Sequence, residues 1–178
     1  MTIKAISEST PDRVYSDSVA VSKASWKKVT LLTPASRGYE GNGPQTLNDG
    51  LYGTALSKRD NWLGFNSENM VAVFDLGSPE QISSVGVRNL IETGSWIFDD
   101  RGIKVEVSEN GTSWQQVAAE QYPSLTGETS KIVTHTLNFN PVTAQYVKLT
   151  LDIEKSIPEW HGGKGKPGFI FVDEVMIN

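Results

Sequence analysis

The sequence predicts an all-β fold, an antiparallel β-sandwich or jelly roll. Three observations carry that prediction. Several segments alternate apolar and polar residues with period 2, turn signals separate them, and no segment keeps a helical period. The chain has 178 residues, enough for one sizeable core and too few for two ordinary domains.

The elements follow in order. "MTIKAISESTPDRVYSDSVAVSKASWK" reads as a short strand, a polar turn and another strand. It is either the first hairpin of the domain or the end of a preceding β-domain. The boundary is placed near residue 28, giving a segment 1–28 and a domain 29–178. Strands are then expected at "VAVFDL" (71–76), "ISSVGVR" (82–88), "GIKVEVS" (102–108), "SWQQVA" (113–118), "IVTHTLNF" (132–139), "QYVKLTLD" (145–152) and "FIFVDEVMI" (169–177). Ile103, Val105 and Val107 alternate with Lys104, Glu106 and Ser108. Val147, Leu149 and Leu151 alternate with Lys148, Thr150 and Asp152. Such strands bury one face and wet the other. "GSPEQ" (77–81), "SENGTSW" (108–114) and "FNPVTAQ" (139–145) are the turns between them. "NG" at 110–111 is a hairpin signal. Residues 33–70 and 153–168 do not alternate. They carry Tyr39, Tyr52, Trp62, Phe65, Trp160 and His161, so they read as ordered loops at the ends of the sandwich.

Composition narrows the function. The net charge is −5 and the pI about 5.1, which argues against a nucleic-acid partner and gives no support to an anionic membrane surface. No run of 18 apolar residues is present, and "MTIKAISESTPD" lacks the apolar stretch of a signal peptide. Cysteine is absent, which excludes disulfides, thiolate metal sites and a Cys nucleophile. His135, in phase with Val133, Leu137 and Phe139, reads as a hydrogen-bonded strand residue. "GGKGKPG" lacks phosphate-loop spacing and leads into a strand, so its lysines read as solvated. "NGT" at 110–112 is an N-glycosylation acceptor or a hairpin turn, and the turn is favoured. Asp99, Asp100 and Glu92 could form a glycosidase-like carboxylate pair. No nucleophile–base arrangement accompanies them, so no catalysis is expected.

Several motifs fall in a fixed order: "LNDGLYGT" (47–54), "NWLGF" (61–65), "VAVFDLG" (71–77), "ISSVGVR" (82–88), "GIKVEVSENGTSWQQV" (102–117), "QYVKLTL" (145–151) and "FVDEVMI" (171–177). As a set they resemble the discoidin fold, the coagulation-factor type C domain, a galactose-binding-domain-like jelly roll. The bacterial version is the family 32 carbohydrate-binding module. The resemblance covers about residues 40–178. "GSWIF" (94–98) and "PEWHGGKGKPGFIFVDEV" (158–175) are similar to the module that follows the catalytic domain in bacterial family 20 glycoside hydrolases, the β-hexosaminidases.

The resemblance implies a structural Ca²⁺. Calcium takes six to eight oxygens, and the mapping gives the carboxylates of Asp49 and Glu174, Thr54, and the carbonyls of Leu47 and Tyr52. Asp173 could join or face solvent. The alternative at Asn48-Asp49-Gly50 is an Asx turn with no metal. The resemblance also implies a glycan site on end loops, where an aromatic face meets a pyranose and a few polar groups read its hydroxyls. The candidates are Trp62, Trp96, Trp160 and His161, with Asp99, Arg101 and Lys164 as hydrogen-bonding partners. Trp62 precedes the first buried strand, where a core residue or loop plug is the more frequent role. Trp96 competes with Ile97 and Phe98 for burial, and Trp160 could anchor its own loop. Trp114 is expected to pack. The usual galactose-binding trio of His, Arg and Asn is not placed on this sequence.

The expected function is a non-catalytic carbohydrate-binding module from a secreted, periplasmic or cell-surface bacterial glycoside hydrolase. Its partners would be a glycan, of terminal Gal, GalNAc or GlcNAc type, and a catalytic domain in cis. The alternatives are a structural or protein-interaction domain that braces an enzyme, and a cell-surface adhesion domain. The adhesion reading would use Lys58, Arg59, Trp62, Leu63 and Phe65 as an apolar spike with basic neighbours.

Overall fold

The computed structural model describes residues 21–54 and 61–178, and the backbone of two strands before them. Those two strands, β1 (Thr2–Ser7) and β2 (Thr10–Ser18), pair antiparallel with each other. The rest forms a seven-stranded antiparallel sheet in the order β4-β9-β5-β8-β6-β7, with β3 also paired to β5. The ranges are β3 Lys28–Leu31, β4 Leu63–Phe65, β5 Met70–Glu92, β6 Gly102–Ser108, β7 Gln115–Gln121, β8 Ser130–Asp152 and β9 Ile170–Ile177.

Two strands run further than the sequence suggests. β5 joins the expected 71–76 and 82–88 strands, and β8 joins 132–139 and 145–152. "GSPEQ" and "FNPVTAQ" are therefore corners, not breaks. The β5–β8 register shifts between Asp75 and Glu80 and again between Ile82 and Ser84. Gly77 takes φ 84° there, and Pro79 and Pro141 sit where the ladder is interrupted. Beyond the corner each strand changes partner. Met70–Asp75 pairs with the second half of β8 and Ala72–Asp75 with β3, whereas Ser84–Glu92 pairs with the first half of β8 and Val85–Leu90 with β9. The sheet thus folds into two facing layers, a β-sandwich.

The core lies between the layers. Ile103, Val105 and Val107 of β6 and Val147, Leu149 and Leu151 of β8 are buried in it, as their alternation requires. So are Met70, Ala72 and Phe74, and Leu47 from the 3-10 turn Pro44–Leu47. Ala24 is fully buried in the same cluster and Lys23 N–H donates to Ile177 O at 2.8 Å, so core packing begins before residue 28. A smaller cluster of Trp62, Leu90, Ile97 and Phe171, covered by Tyr39, Ile132 and Phe169, seats Tyr39 and Trp62 on the outside of β9 and β5. At the tip of the β6–β7 hairpin, Gly111 takes φ 74° and Asn110 Oδ1 accepts from Thr112 and Ser113 N–H at 2.9 Å. The turn reading of "NGT" fits this geometry.

Candidate functional site

One end of the sandwich is built from the loops 92–101, 122–129 and 153–169. Backbone bonds tie them together: Phe98 N–H to Phe169 O at 2.8 Å, Thr93 N–H to Thr129 O at 3.0 Å and Gly168 N–H to Glu154 O at 2.7 Å. Trp96, Trp160 and His161 meet here around the buried Phe98. His161 Nε2 lies 2.9 Å from Thr93 O, and Gly163 N–H donates to His161 Nδ1 at 3.0 Å. A backbone N–H only donates and a carbonyl only accepts, so Nδ1 is bare and Nε2 carries the proton. The ring also meets Trp96, Phe98 and Trp160 edge-on, with centroids 5.9, 5.4 and 5.4 Å away. Trp160 Nε1 donates to Leu125 O at 2.8 Å. Side by side in a glycine-rich loop, Trp160 and His161 therefore stitch three loops into one platform.

Trp96 is placed differently. Its backbone is left-handed, with φ 66°, a conformation that costs a non-glycine residue on the order of 1–2 kcal/mol. The residue is only partly buried. A Cβ on Gly163 would fall 2.9–3.0 Å from three indole atoms, so only glycine lets the 157–168 loop pass this ring. Lys166 Nζ lies 5.5 Å from the ring centroid. The result is a partly exposed aromatic ring in a fixed orientation, at a backbone position that a glycine would occupy more cheaply.

Beside this platform stand the polar candidates. His135 Nε2 is 2.9 Å from Asp99 Oδ1, and Tyr122 stacks on the imidazole with centroids 4.3 Å apart. The Asp99 hydrogen bond holds the His135 pKa above its ordinary value, against the opposing effect of burial. Asp100 is fully buried and accepts from Asn89 Nδ2. Burial first, and the Asp99 charge second, push its carboxyl up to about 7. Arg101 is committed: Nε donates to Tyr122 O at 2.9 Å, and the guanidinium holds Glu154 at 2.9 Å and Ser124. Lys164 pairs with Glu159 at 2.9 Å in solvent.

The loop 47–54 lies elsewhere, against β9. The β5–β9 register pairs Arg88 with Glu174 and Asn89 with Val172, leaving Asp173 as the extra residue of a β-bulge. Core residues show the slip: Ile170 and Val172 face inward before it, Val175 and Ile177 after it. The bulge lets two consecutive carboxylates reach the same loop. Gly50 N–H donates to Glu174 Oε2 at 3.0 Å and Gly53 N–H to Asp173 Oδ2 at 2.6 Å. Leu51 N–H donates to Asp49 Oδ1 at 2.8 Å, which is the Asx turn. Arg88 pairs with Asp173 and lies 4.4 Å over the Tyr52 ring. Burial pushes Asp173 up to about 7 and Glu174 up to about 8, and also raises Asp49. Asp173 Oδ1 and Glu174 Oε1 are buried without a hydrogen-bond partner. Leu47 is buried, Tyr52 and Thr54 are exposed, and Thr54 O accepts from Trp62 Nε1 at 3.1 Å.

Two expectations are corrected. Trp62 is 0% exposed, with Gly53 against its indole and Arg88 5.5 Å over the ring. It has no free face for a sugar and is a buried plug bonded to the end of the 47–54 loop. Leu63 and Phe65 are likewise buried in β4, so the apolar spike of the adhesion reading does not form; Lys58 and Arg59 lie outside the described residues. Sequence reasoning also missed residues. Trp26 is 56% exposed in a left-handed turn at φ 59°, its N–H bonded to Asn48 O at 2.9 Å. Arg88 and Tyr122 were not singled out either. Trp114 is partly buried, with Lys148 Nζ 4.4 Å from its ring, and lines a cavity of about 330 Å³ together with Asn110 and Thr143.

Comparisons bear on this geometry. Chitosan-binding module 1 derived from a chitosanase/glucanase of Paenibacillus sp. IK-5 superimposes with a TM-score of 0.57 at 18% identity, over 89% of this chain and 99% of that one. The lectin domain of lectinolysin, complexed with Lewis B antigen, gives 0.56 at 19%, over 90% and 98%. CpGH89CBM32-5 from Clostridium perfringens, in complex with GalNAc-β-1,3-galactose, gives 0.54 at 18%, over 84% and 93%. At these identities the likeness is one of fold. No curated protein sequence matches. The F5/8 type C domain family, in contrast, matches across residues 20–166, the stretch holding β3 to β8 and both loop systems. The chain belongs to the F5/8 type C domain family.

Proposed function

We propose that this domain is a non-catalytic carbohydrate-binding module that receives a glycan on the platform around Trp96. The observation that carries the reading is the tryptophan itself, kept partly exposed at a left-handed position on a frame of fixed side chains. Rings held this way present an apolar face without losing rotamer entropy on binding. Lys166 Nζ, 5.5 Å from the ring centroid, supplies a polar group beside it. Three similar folds named as chitosan-binding, Lewis B-bound and GalNAc-β-1,3-galactose-bound support the choice of ligand class. The ligand would be a terminal Gal, GalNAc or GlcNAc-type sugar, and a single such sugar binds weakly because little area is buried.

The larger setting belongs to the same proposal. The module would be carried by a bacterial glycoside hydrolase, of the family 20 β-hexosaminidase kind, acting outside the cytoplasm and gaining substrate by tethering. One related module is itself named as derived from a chitosanase/glucanase. A second reading, a brace for an enzyme, is favoured by one observation: both His161 nitrogens and the Trp160 N–H are already spent on backbone.

We further propose a structural Ca²⁺ at the 47–54 loop. Asp49 and Glu174 would hold it, with Thr54 and the carbonyls of Leu47 and Tyr52, and Asp173 beside them. The residues fit: Asp173, paired with Arg88, and Glu174 each keep one buried oxygen without a donor, and the Asp49 charge acts on both. A bound ion would supply that missing positive charge and stabilise the fold by mass action. A glycan array run in calcium and again in EDTA, with thermal melts in both, tests the set. Saturable binding to one glycan class supports the module. No binding to any glycan, with a melting point that still falls in EDTA, leaves the brace.

A further inference from the structure

The platform contains a second cluster that glycan recognition does not require. Asp99 and Asp100 lie on the loop after β5, and His135 projects from β8 opposite Val87. One ligand atom from each lies within 4.8 Å of the others. Asp99 Oδ1 and His135 Nε2 are 2.9 Å apart, and His135 Nε2 is 3.9 Å from Asp100 Oδ2. Bonds of roughly 2.0–2.2 Å to one tetrahedral ion put neighbouring ligand atoms about 3.3–3.6 Å apart. The two separations bracket that edge, so the first must open and the second close by a few tenths of an ångström.

An independent observation points to a missing ligand. Asp100 is 0% and Asn89 1% exposed, yet Asp100 Oδ1 and Asn89 Oδ1 have no hydrogen-bond partner. A buried carboxylate oxygen left bare is costly. The remaining contacts are those of a prepared site. Asn89 donates to Asp100 Oδ2, as outer-sphere donors hold ligating carboxylates. Tyr122 fixes the imidazole plane, and the side chains of His135 and Asp99 keep 19% and 16% exposure, which gives an ion a way in.

We propose that Asp99, Asp100 and His135, with Asn89 holding Asp100, form a site for one divalent first-row transition ion of the zinc class. Imidazole with two carboxylates suits Zn²⁺ and its neighbours, whereas Ca²⁺ seeks an all-oxygen shell. Three protein ligands leave further positions to water. The site is separate from the 47–54 loop and does not depend on the carbohydrate reading.

The test is calorimetric titration of Zn²⁺ into the EDTA-stripped, dialysed chain, with Co²⁺ absorption as a second readout. The wild type is expected to bind one ion that His135→Gln and Asp99→Asn abolish, that Asn89→Ala weakens about 10- to 100-fold, and that Glu109→Gln, at an exposed position on the β6–β7 hairpin, leaves intact. The visible Co²⁺ bands should vanish in His135→Gln. Circular dichroism establishes which variants fold, and Asp99→Asn, at a partly exposed position, stands in if His135→Gln does not. No Zn²⁺ heat in the wild type, or the same heat in the folded His135→Gln and Asp99→Asn variants, overturns the proposal.

Discussion

His161→Ala removes the residue that joins the 157–168 loop to Thr93 and to its own Gly163. Two hydrogen bonds are lost, at 2.9 and 3.0 Å, each contributing about 1 kcal/mol net. Three edge-on ring contacts go with them, each contributing about 0.5–1.5 kcal/mol. His161 is only partly buried, so water recovers some of both. The net loss should be about 2–3 kcal/mol. For a chain of this length about 2–4 °C follows from each kcal/mol, so the melting temperature should fall by roughly 5–10 °C. Thermal unfolding followed by circular dichroism measures this, and tryptophan fluorescence should shift to the red as Trp96 and Trp160 meet water. His161→Gln, which can keep one of the two bonds, should fall between wild type and alanine. A melting temperature within about 1 °C of wild type for His161→Ala would refute the loop-locking role.

Other consequences are equally direct. Gly163→Ala puts a methyl 2.9–3.0 Å from the Trp96 indole and should cost about 1–3 kcal/mol by overpacking, read as a lower urea midpoint at unchanged slope. Arg88→Met strips the partner from fully buried Asp173 and should destabilise the chelated protein by about 3–5 kcal/mol, read in the same titration. Burial raises the Glu106 pKa, but Lys148 and Lys104, at 3.1 and 3.2 Å, outweigh it and hold the carboxyl below its ordinary value. A depressed acid stabilises the fold above its unfolded pKa and loses that contribution as pH falls through its folded one. Melting curves between pH 6 and 3 should therefore fall more steeply for the wild type than for Glu106→Gln.

Much of this architecture is legible in the sequence because strands with one wet face must alternate. β6 and the second half of β8 were readable residue by residue. The long strands were not, since a corner and a turn use the same residues; Gly77 and Pro79 look alike in either. The β9 bulge leaves a trace, an inward pattern that slips from Ile170 and Val172 to Val175 and Ile177. That slip is what turns both Asp173 and Glu174 toward one loop. Trp62 and Trp96 show the other limit. Each is a tryptophan in a polar, glycine-rich stretch, yet one is a plug and the other a partly exposed ring. Partners distant in sequence decide between them: Phe171 and Arg88 for Trp62, Gly163 and Lys166 for Trp96. His161 likewise bonds a carbonyl 68 positions away, and no local pattern announces that.

The most direct test of the carbohydrate reading is calorimetric titration of the best glycan-array ligand into wild type and Trp96→Gly. Glycine suits the left-handed backbone that tryptophan strains, so this variant removes the ring and keeps the loop's conformation. Wild-type binding that is lost in Trp96→Gly, with the fold retained by circular dichroism, is the result expected. Equal binding by the two proteins would contradict a site at Trp96 and direct the search to exposed Trp26.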